Sequence, residues 1–488
     1  MTPQGVTFDG GASVIPLTPL SRTGRQAYPQ GHLYSDIDGH LKARRTAETN
    51  GSFLWRVHDK LYDLTPYLDF HPGGREWLER VRGCDATEAF EAHHLDGDKA
   101  ERALSKFYVR EVEPGEFDCG DRFTYDADGF WRTVRERCLV ALKGAVGPST
   151  STLDATSATP AMQIASGMIL AQFISTFGLA CVSGSWLAAG GCGLTMAGMW
   201  GVGHNYLHQS EKKAGWWPYA LNVVPGINAE EFKVTHALSH HLVPNLKADY
   251  ESRFYTSNGK HGFTNPEPLS LRYWYMKAAF IPILGAFKGA GTGIKKLVAG
   301  GPGSAWLPPL FPAAQLGLYR AAGNSWRESL KLWMIQMTVH TLAFVPFALG
   351  VHHNAVDPND DGAELISKQG RSTYSWQEGQ PGGVDDFGEH QVISTIDHSI
   401  LSRQQHLPEV LVHWLSLTCF GYLNDHALHH LFPALDHSKH AIVRDVFEQT
   451  CREFKVPYQE RGAIAMAAGF HRYVQNHQVV PLHSISKL

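Results

Sequence analysis

Over residues 1–30 the chain is polar and rich in Pro, Gly, Ser and Thr. No apolar run of about seven residues breaks it, so it offers no signal-peptide core and is expected to be a disordered tail. Residues 31–115 read as a compact unit. The stretch Trp55-Arg-Val-His-Asp-Lys-Leu-Tyr62 alternates as a strand pair would, and Asp63-Leu-Thr-Pro66 then predicts a capped turn opening a short helix. Helical segments are expected over 76–81 and 86–92, punctuated by Gly73, Gly74 and Gly83, and Pro114-Gly115 closes the unit. Residues 116–154 read as a linker.

The pattern changes at residue 155. From there to residue 210 the chain contains no Asp, Glu, Lys or Arg. A membrane-crossing helix takes about 20 residues, so this length suits two crossings and a tight turn. They are placed over 161–182 and 186–203, with Ser183-Gly184-Ser185 between; a buried hairpin in a soluble protein is the alternative. A second pair is less regular. Residues 332–356 are uncharged and apolar as far as Val351. The partner is 297–319, despite Pro302, Pro308, Pro309 and Pro312, or else 273–287, which Lys277 interrupts. The first option predicts four crossings with both chain ends on one side of the membrane. A hydrophilic loop over 357–389 follows. The chain from Leu407 onward returns to amphipathic character, ending in a tail over 461–488.

Composition narrows the function. At 488 residues the chain exceeds one ordinary core. Only 18% of residues are charged, 43% are hydrophobic and mean hydropathy is -0.22, so large polar regions accompany any membrane spans. A net charge of -4 gives no bulk attraction for nucleic acid, and none is expected as a partner. Seven cysteines, scattered from Cys84 to Cys451 without CxxC pairs, argue against a disulfide scaffold. Histidine is the abnormal residue, at 27 of 488.

The first chemical motif is His71-Pro72-Gly73-Gly74, preceded by Tyr62-Asp63-Leu64-Thr65-Pro66 and followed by Gly83-Cys84-Asp85-Ala86-Thr87 and Phe90-x-x-His93-His94. With both flanks present, residues 33–113 resemble the cytochrome b5 domain. The resemblance implies an α+β unit in which two facing histidines ligate one haem b. With both axial positions filled, that iron carries electrons. His71 is the first ligand. The second falls on His94, by analogy with b5 domains fused to desaturases, leaving His93 beside it. Leu64, Phe70, Leu78 and Phe90 would wall the pocket.

The second motif is a set of histidine clusters. His204-Asn-Tyr-Leu-His208 follows the second expected crossing. His236-Ala-Leu-Ser-His240-His241 and His426-Ala-Leu-His429-His430 come later. On a helix such spacings bring imidazoles to one face. So many imidazoles together gain nothing from packing and repel when protonated, whereas metal ions would hold them neutral. Eight imidazoles exceed one tetrahedral site, so two metals are implied. These boxes beside apolar spans resemble the membrane fatty-acid desaturase and hydroxylase superfamily over 155–460, an all-α multi-span domain with two non-haem irons.

The combined chain resembles b5-fused front-end acyl desaturases, and most of all the branch of cytochrome b5-related proteins. The resemblance adds His398 as a ninth ligand. It implies an O2-dependent reaction on a fatty-acyl or lipid chain, by desaturation or hydroxylation, with a non-catalytic membrane haem protein as the remaining alternative. Electrons would come from an NADH-dependent cytochrome b5 reductase. The protein would be multi-pass in the endoplasmic reticulum membrane, with haem and boxes cytosolic. An acyl chain would enter between spans lined by Phe173, Trp200 and Trp217. His352-His353-Asn354 resembles a Ser-His-Asn element near the metals, and Asp397 and Asp425 are candidate imidazole-orienting carboxylates. His426 and Asn205 depart from the family's usual Gln and Asp. His261, His340, His406, His413, His437 and His440 are read as structural or surface residues.

Overall fold

A computed structural model describes residues 37–49, 51–114, 116, 123–224, 227–244, 249–251, 275–276, 291, 294, 298, 307–352, 354, 386–398, 403–404 and 406–476. The 1–30 tail, the 273–287 alternative, His261 and His353 fall outside these or nearly so.

The N-terminal unit opens with helix α1 (Ile37–Thr49), followed by a hairpin of β1 (Trp55–Val57) and β2 (Lys60–Tyr62). The strand β3 (Tyr108–Glu111) adds to β2, giving an antiparallel sheet of order β1-β2-β3. Between β2 and β3 lie a 3-10 turn (Thr65–Phe70), α2 (Arg75–Arg80), α3 (Thr87–His93) and α4 (Gly97–Leu104). Asp63 Oδ1 accepts from Thr65 N at 3.0 Å and Asp85 Oδ1 from Thr87 N at 3.1 Å, so an Asx turn leads into each helical segment. Trp55, Val57, Leu64, Leu68, Val81 and Phe90 fill the core.

The expected linker contains α5 (Phe130–Val146). Phe130, Trp131, Val134, Cys138 and Leu142 are all buried, and recur at the three- and four-residue spacing of one helix face. They pack against the C-terminal helices in a second core, so residues 130–146 of the expected linker are part of the packed structure.

Helices α6 (Pro160–Ser183) and α7 (Trp186–Leu207) form the expected hairpin. Thr159 caps α6 ahead of Pro160, Gly184 ends it at φ +60, and Ser185 caps α7. Downstream come α8 (Leu307–Ala321), α9 (Trp326–Gly350), α10 (Phe387–Ile393), α11 (Glu409–Phe420), α12 (His426–Leu431), α13 (His440–Phe454) and α14 (Ala463–Asn476). Glycines let α7 pack closely. A Cβ on Gly193 would stand 2.3 Å from Gln336 O of α9, and one on Gly201 2.5 Å from Gly421 O.

Among the described residues, two helices are long and apolar enough to cross a membrane, α6 with 24 residues and α9 with 25. The expected four crossings are therefore not reproduced by this measure. Helix α7 has 22 residues but is diluted by glycine and largely buried. Helix α8, with 15 residues and Pro312 inside it, reaches only about 22 Å, short of a hydrocarbon core of about 30 Å. Ile164, Ile174 and Leu179 of α6, Leu187 and Leu194 of α7 and Leu330 of α9 are exposed, as helices facing lipid require. The expected C-terminal tail also contains structure: Met466 and Phe470 of α14 are fully buried, and α14 packs against α9.

Candidate metal centres

His71 ends the 3-10 turn, and His94 caps the C-terminus of α3. Their ring centroids lie 6.1 Å apart. His71 Nδ1 donates to Gly74 O at 2.9 Å and His94 Nδ1 to Phe90 O at 2.8 Å. Each ring is thereby fixed in one tautomer, with the Nε2 lone pair free for a metal. Burial holds both imidazoles below their ordinary range, His94 down to about 4, so both are neutral near pH 7. His93 turns elsewhere. Its Nδ1 bonds Ala89 O and its ring lies 6.1 Å from Trp77. The donor chemistry thus fits a haem held by His71 and His94.

Of the expected walls, Leu64 and Phe90 are buried, with Phe90 4.8 Å from the His94 ring, and Leu78 is partly buried. Phe70 is not a wall. It is 76% exposed, because the tight turn directs the last residue of the segment outward. One turn earlier, the Tyr67 ring lies 5.9 Å from His71 and 5.0 Å from Phe107.

The second centre joins three elements. His204 lies in the last turn of α7 and His208 caps it. Residues Lys233–His240 form a π-helix, in which His241 N donates to His236 O at 3.0 Å. An α-helix would turn His241 away from His236; the wider turn brings both to the same side. His426, His429 and His430 lie on α12.

These rings converge on two foci. His204, His208, His236, His241 and His429 have donor nitrogens within 4.8 Å of one another, and His240, His352 and His430 form another such set. In the first, His236 Nε2 stands 2.8 Å from His204 Nε2 and 3.0 Å from His241 Nε2, and His429 Nε2 lies 3.1 Å from His204 Nε2. In the second, His352 Nε2 is 2.9 Å from His240 Nε2 and 2.8 Å from His426 Nε2. Boxes two and three each divide between the foci.

The outward nitrogens of four of these rings show how such distances suit cations. His236 Nδ1 donates to Glu251 Oε1 at 2.9 Å and His240 Nδ1 to Asp249 Oδ2 at 3.0 Å. His352 Nδ1 donates to Ser394 O at 2.9 Å and His430 Nδ1 to Gln391 Oε1 at 3.2 Å. When both rings are neutral, each with its one N–H on Nδ1, His240 Nε2 and His352 Nε2 face each other as lone pairs. A cation between them removes the repulsion. Two ligands at right angles, with metal–nitrogen bonds of about 2.1 Å, stand about 3.0 Å apart. Burial and neighbouring rings depress His236, His241, His429 and His430 far below the usual imidazole range, keeping them neutral. Burial acts against the charged form of His240 too, but the Asp249 and Glu251 carboxylates outweigh it and raise this ring.

The structure brings together all eight box histidines and adds His352. It does not bring in His398, whose ring lies against Phe420 (4.8 Å) and Phe347 (6.2 Å) and whose nitrogens are buried without a partner. Backbone pairing of His398 N with Asn424 O ties this segment to the start of α12, with the ring turned against Phe420 of α11. Asn354 also points away, donating to Met466 O. Asp397 accepts from Ala427 N and Tyr458 OH, and Asp425 pairs with Arg444; the carboxylates on the box-two imidazoles are Asp249 and Glu251. His437, read as structural or surface, stands with Nε2 3.0 Å from His429 Nδ1, within hydrogen-bond distance. Asn205 donates to Asp436 Oδ2 at 2.8 Å and accepts from His437 N at 3.2 Å, so it aligns that supporting ring. The missed residues left little signal: Asp249 and Glu251 follow box two without helical spacing, and His437 has no array around it.

The two centres adjoin. Glu211, just after box one, donates its N–H to Gly73 O and accepts from Glu76 N at 2.8 Å. Lys233 pairs with Glu76 at 2.6 Å and Arg80 with Glu230 at 2.7 Å.

Comparison with known families agrees with this arrangement. Residues 41–113 match the cytochrome b5-like haem/steroid binding domain, and residues 184–462 match the fatty acid desaturase family. The chain belongs to the fatty acid desaturase family, with a cytochrome b5-like domain at its N-terminal side. A cytochrome b5-related protein of Drosophila melanogaster is 30% identical over 432 residues, covering 86% of this chain and 87% of that protein. A probable Delta(5) fatty acid desaturase of Dictyostelium discoideum is 21% identical over 447 residues, covering 83% and 87%. Cytochrome b5 of Gallus gallus is 48% identical over 61 residues, 12% of this chain and 41% of that protein. No solved structure gives a significant match. This b5-fused desaturase is thus a membrane-associated, desaturase-type oxidoreductase of lipid metabolism that uses haem and a di-iron centre, with electron-transfer partners and a lipid substrate.

Proposed function

We propose that this b5-fused desaturase introduces a double bond into a fatty-acyl or lipid chain at the expense of O2. The observation that carries this reading is the pair of imidazole foci whose Nε2 atoms face one another at 2.8–3.1 Å, next to the haem-binding unit. One iron would be held by His204, His208, His236, His241 and His429, and the other by His240, His352, His426 and His430. When bound, the irons supply dioxygen activation and the haem supplies single electrons. The net reaction joins one –CH2–CH2– unit, O2, two electrons and two protons into –CH=CH– and two water molecules.

The chain's residues have separate tasks. His71 and His94 hold the haem at the docked face. Asp249, Glu251, Ser394, Gln391 and His437 fix the tautomers of the metal-facing rings. Trp200 stacks on His204 with centroids 4.5 Å apart and touches Phe344, giving an acyl chain an apolar approach with little water. Phe173 and Trp217 are also packed in the apolar core and its margin. The electron source would be an NADH-dependent cytochrome b5 reductase. The protein would lie in the endoplasmic reticulum membrane with haem unit and histidines cytosolic, consistent with the uncharged α6–α7 hairpin returning box one to the side where α6 begins.

The test is purified protein in lipid with NADH, a b5 reductase and O2, with product mass measured. Loss of two hydrogens supports the proposal. Gain of one oxygen identifies a hydroxylase on the same centre, and no lipid product with haem as the only iron overturns the reading.

A further inference from the structure

The haem-binding unit makes a contact that electron transfer by a tethered carrier does not require. Helix α1 lies against box two: Ile37 and Leu41 form a buried apolar cluster with Val234 of the π-helix. The His40 ring meets Tyr250 edge-on at 5.3 Å, and Tyr250 stands between Asp249 and Glu251, the two carboxylates that orient His240 and His236.

Arg44 is the polar centre of this contact. It is buried, paired with Glu48 at 3.0 Å, and its Nη1 donates to Leu238 O at 3.1 Å. The end of the π-helix explains why that carbonyl takes an outside donor. Continued i→i+5 bonding would give it Val243 N, but Val243 N turns to Ser239 O. A buried carbonyl needs a donor, and Arg44 reaches it from another part of the fold. The same Arg44–Glu48 pair holds the loop before α3. Arg44 Nη2 donates to Asp85 O at 3.2 Å, and Glu48 Oε2 accepts from Asp85 N at 2.8 Å. One ion pair therefore grips both the segment leading to His94 and the helix carrying His236, His240 and His241.

We infer that Arg44 is a positioning residue for the second histidine box, so that the haem-binding unit braces the metal centre as well as feeding it electrons. The inference rests on the proposed metal assignment for its consequence, but the brace can be tested without metal. Isolated π-turns are marginal structures, and a buried guanidinium with Ile37 and Leu41 behind it supplies outside support.

The experiment uses the full-length chain in lipid, with Arg44→Met and Glu48→Gln combined so that no unpaired charge is buried, Lys42→Ala as an exposed control on α1, and Arg44→Lys as the conservative variant. Amide hydrogen exchange over 233–241 is measured on metal-stripped protein, and haem absorbance and bound non-haem metal on loaded protein. The paired variant is expected to keep its haem spectrum, exchange box-two amides about tenfold faster and bind metal about 10- to 100-fold more weakly. Lys42→Ala should match wild type, and Arg44→Lys should recover part of the protection. Unchanged exchange and metal binding in the paired variant overturn the inference. Should that variant lose haem as well, Ile37→Ala decides: faster box-two exchange with intact haem supports the brace, and unchanged exchange overturns it. Wild-type protein without non-haem metal would refute the metal assignment, while the exchange result would still judge the brace.

Discussion

His240 and His352 are 112 residues apart in the chain, yet their Nε2 atoms lie 2.9 Å apart. Each spends its Nδ1 proton elsewhere, on Asp249 and on the Ser394 carbonyl. With both rings neutral, two lone pairs face each other there, and a cation between them would remove the repulsion. We propose His352 as a ligand position, one that the clustered boxes alone do not reveal. Replacing His352 with Ala should lower non-haem iron to about half while leaving haem absorbance intact, since the focus of His204, His236 and His429 keeps its donors. Replacing His398 should leave the iron content unchanged, because its ring lies against Phe420. Iron and haem assays on the two variants check both outcomes.

Asp249 fixes His240 from behind, and Glu251 does the same for His236. Asp249→Asn can still accept a hydrogen bond but loses the charge that strengthens it. Metal affinity should fall about 10- to 100-fold, the usual range for losing an outer partner of a ligating imidazole. Competition with a chelator of known affinity measures it.

His71 and His94 should be separable from His93 by absorbance. His71→Ala and His94→Ala each remove one of two axial ligands and should abolish the low-spin haem bands. His93→Ala should keep them, because its ring bonds Ala89 O beside Trp77. Retained bands in His94→Ala with lost bands in His93→Ala would move the ligand by one residue.

Glu76 sets a pH limit on the docking of the two centres. Burial by itself raises a carboxyl, but the Arg80 guanidinium and Lys233 ammonium outweigh it and hold Glu76 down at about 2, against an ordinary 4.5. A depressed carboxyl contributes stability that is complete above its unfolded value and is lost as pH falls toward the folded one. Docking should therefore be insensitive to pH between 5 and 8 as far as Glu76 is concerned, and weaken as pH falls from about 4.5 toward 2. Glu76→Gln should flatten that dependence. Hydrogen exchange across 211–233 as a function of pH reads it directly.

Leu142 tests whether 116–154 is structure or spacer. It is fully buried on α5 against the C-terminal helices. Leu142→Ala should cost about 2–5 kcal/mol, the range for a cavity in a packed core, whereas a residue in a mobile linker would cost nothing measurable. Denaturant unfolding followed by tryptophan fluorescence gives the value.

Local chemistry and short-range spacing were enough to reveal much of this molecule. Proline, two glycines and the polar caps around His71 define a turn by themselves, and the alternation from Trp55 to Tyr62 defines a hairpin. The uncharged run with Ser183-Gly184-Ser185 defines two helices and their reversal, since glycine alone takes φ +60 without strain. The three histidine clusters announced a metal centre because neutral imidazoles gather only where something binds them. Tertiary structure decided what depends on contacts between distant segments. It placed His352, and not His398, among the clustered rings: the His398 ring packs against Phe420 and Phe347, while the end of α9 brings His352 to the second focus. It assigned imidazole orientation to Asp249 and Glu251 rather than Asp397 and Asp425. It turned box two into a π-helix, a form that i and i+4 spacing does not distinguish from an α-helix. It also made α5 a core helix and joined Arg44 to Leu238 across 194 residues. Periodicity specifies which face of a helix is apolar; which other element covers that face is settled only when the whole chain is packed.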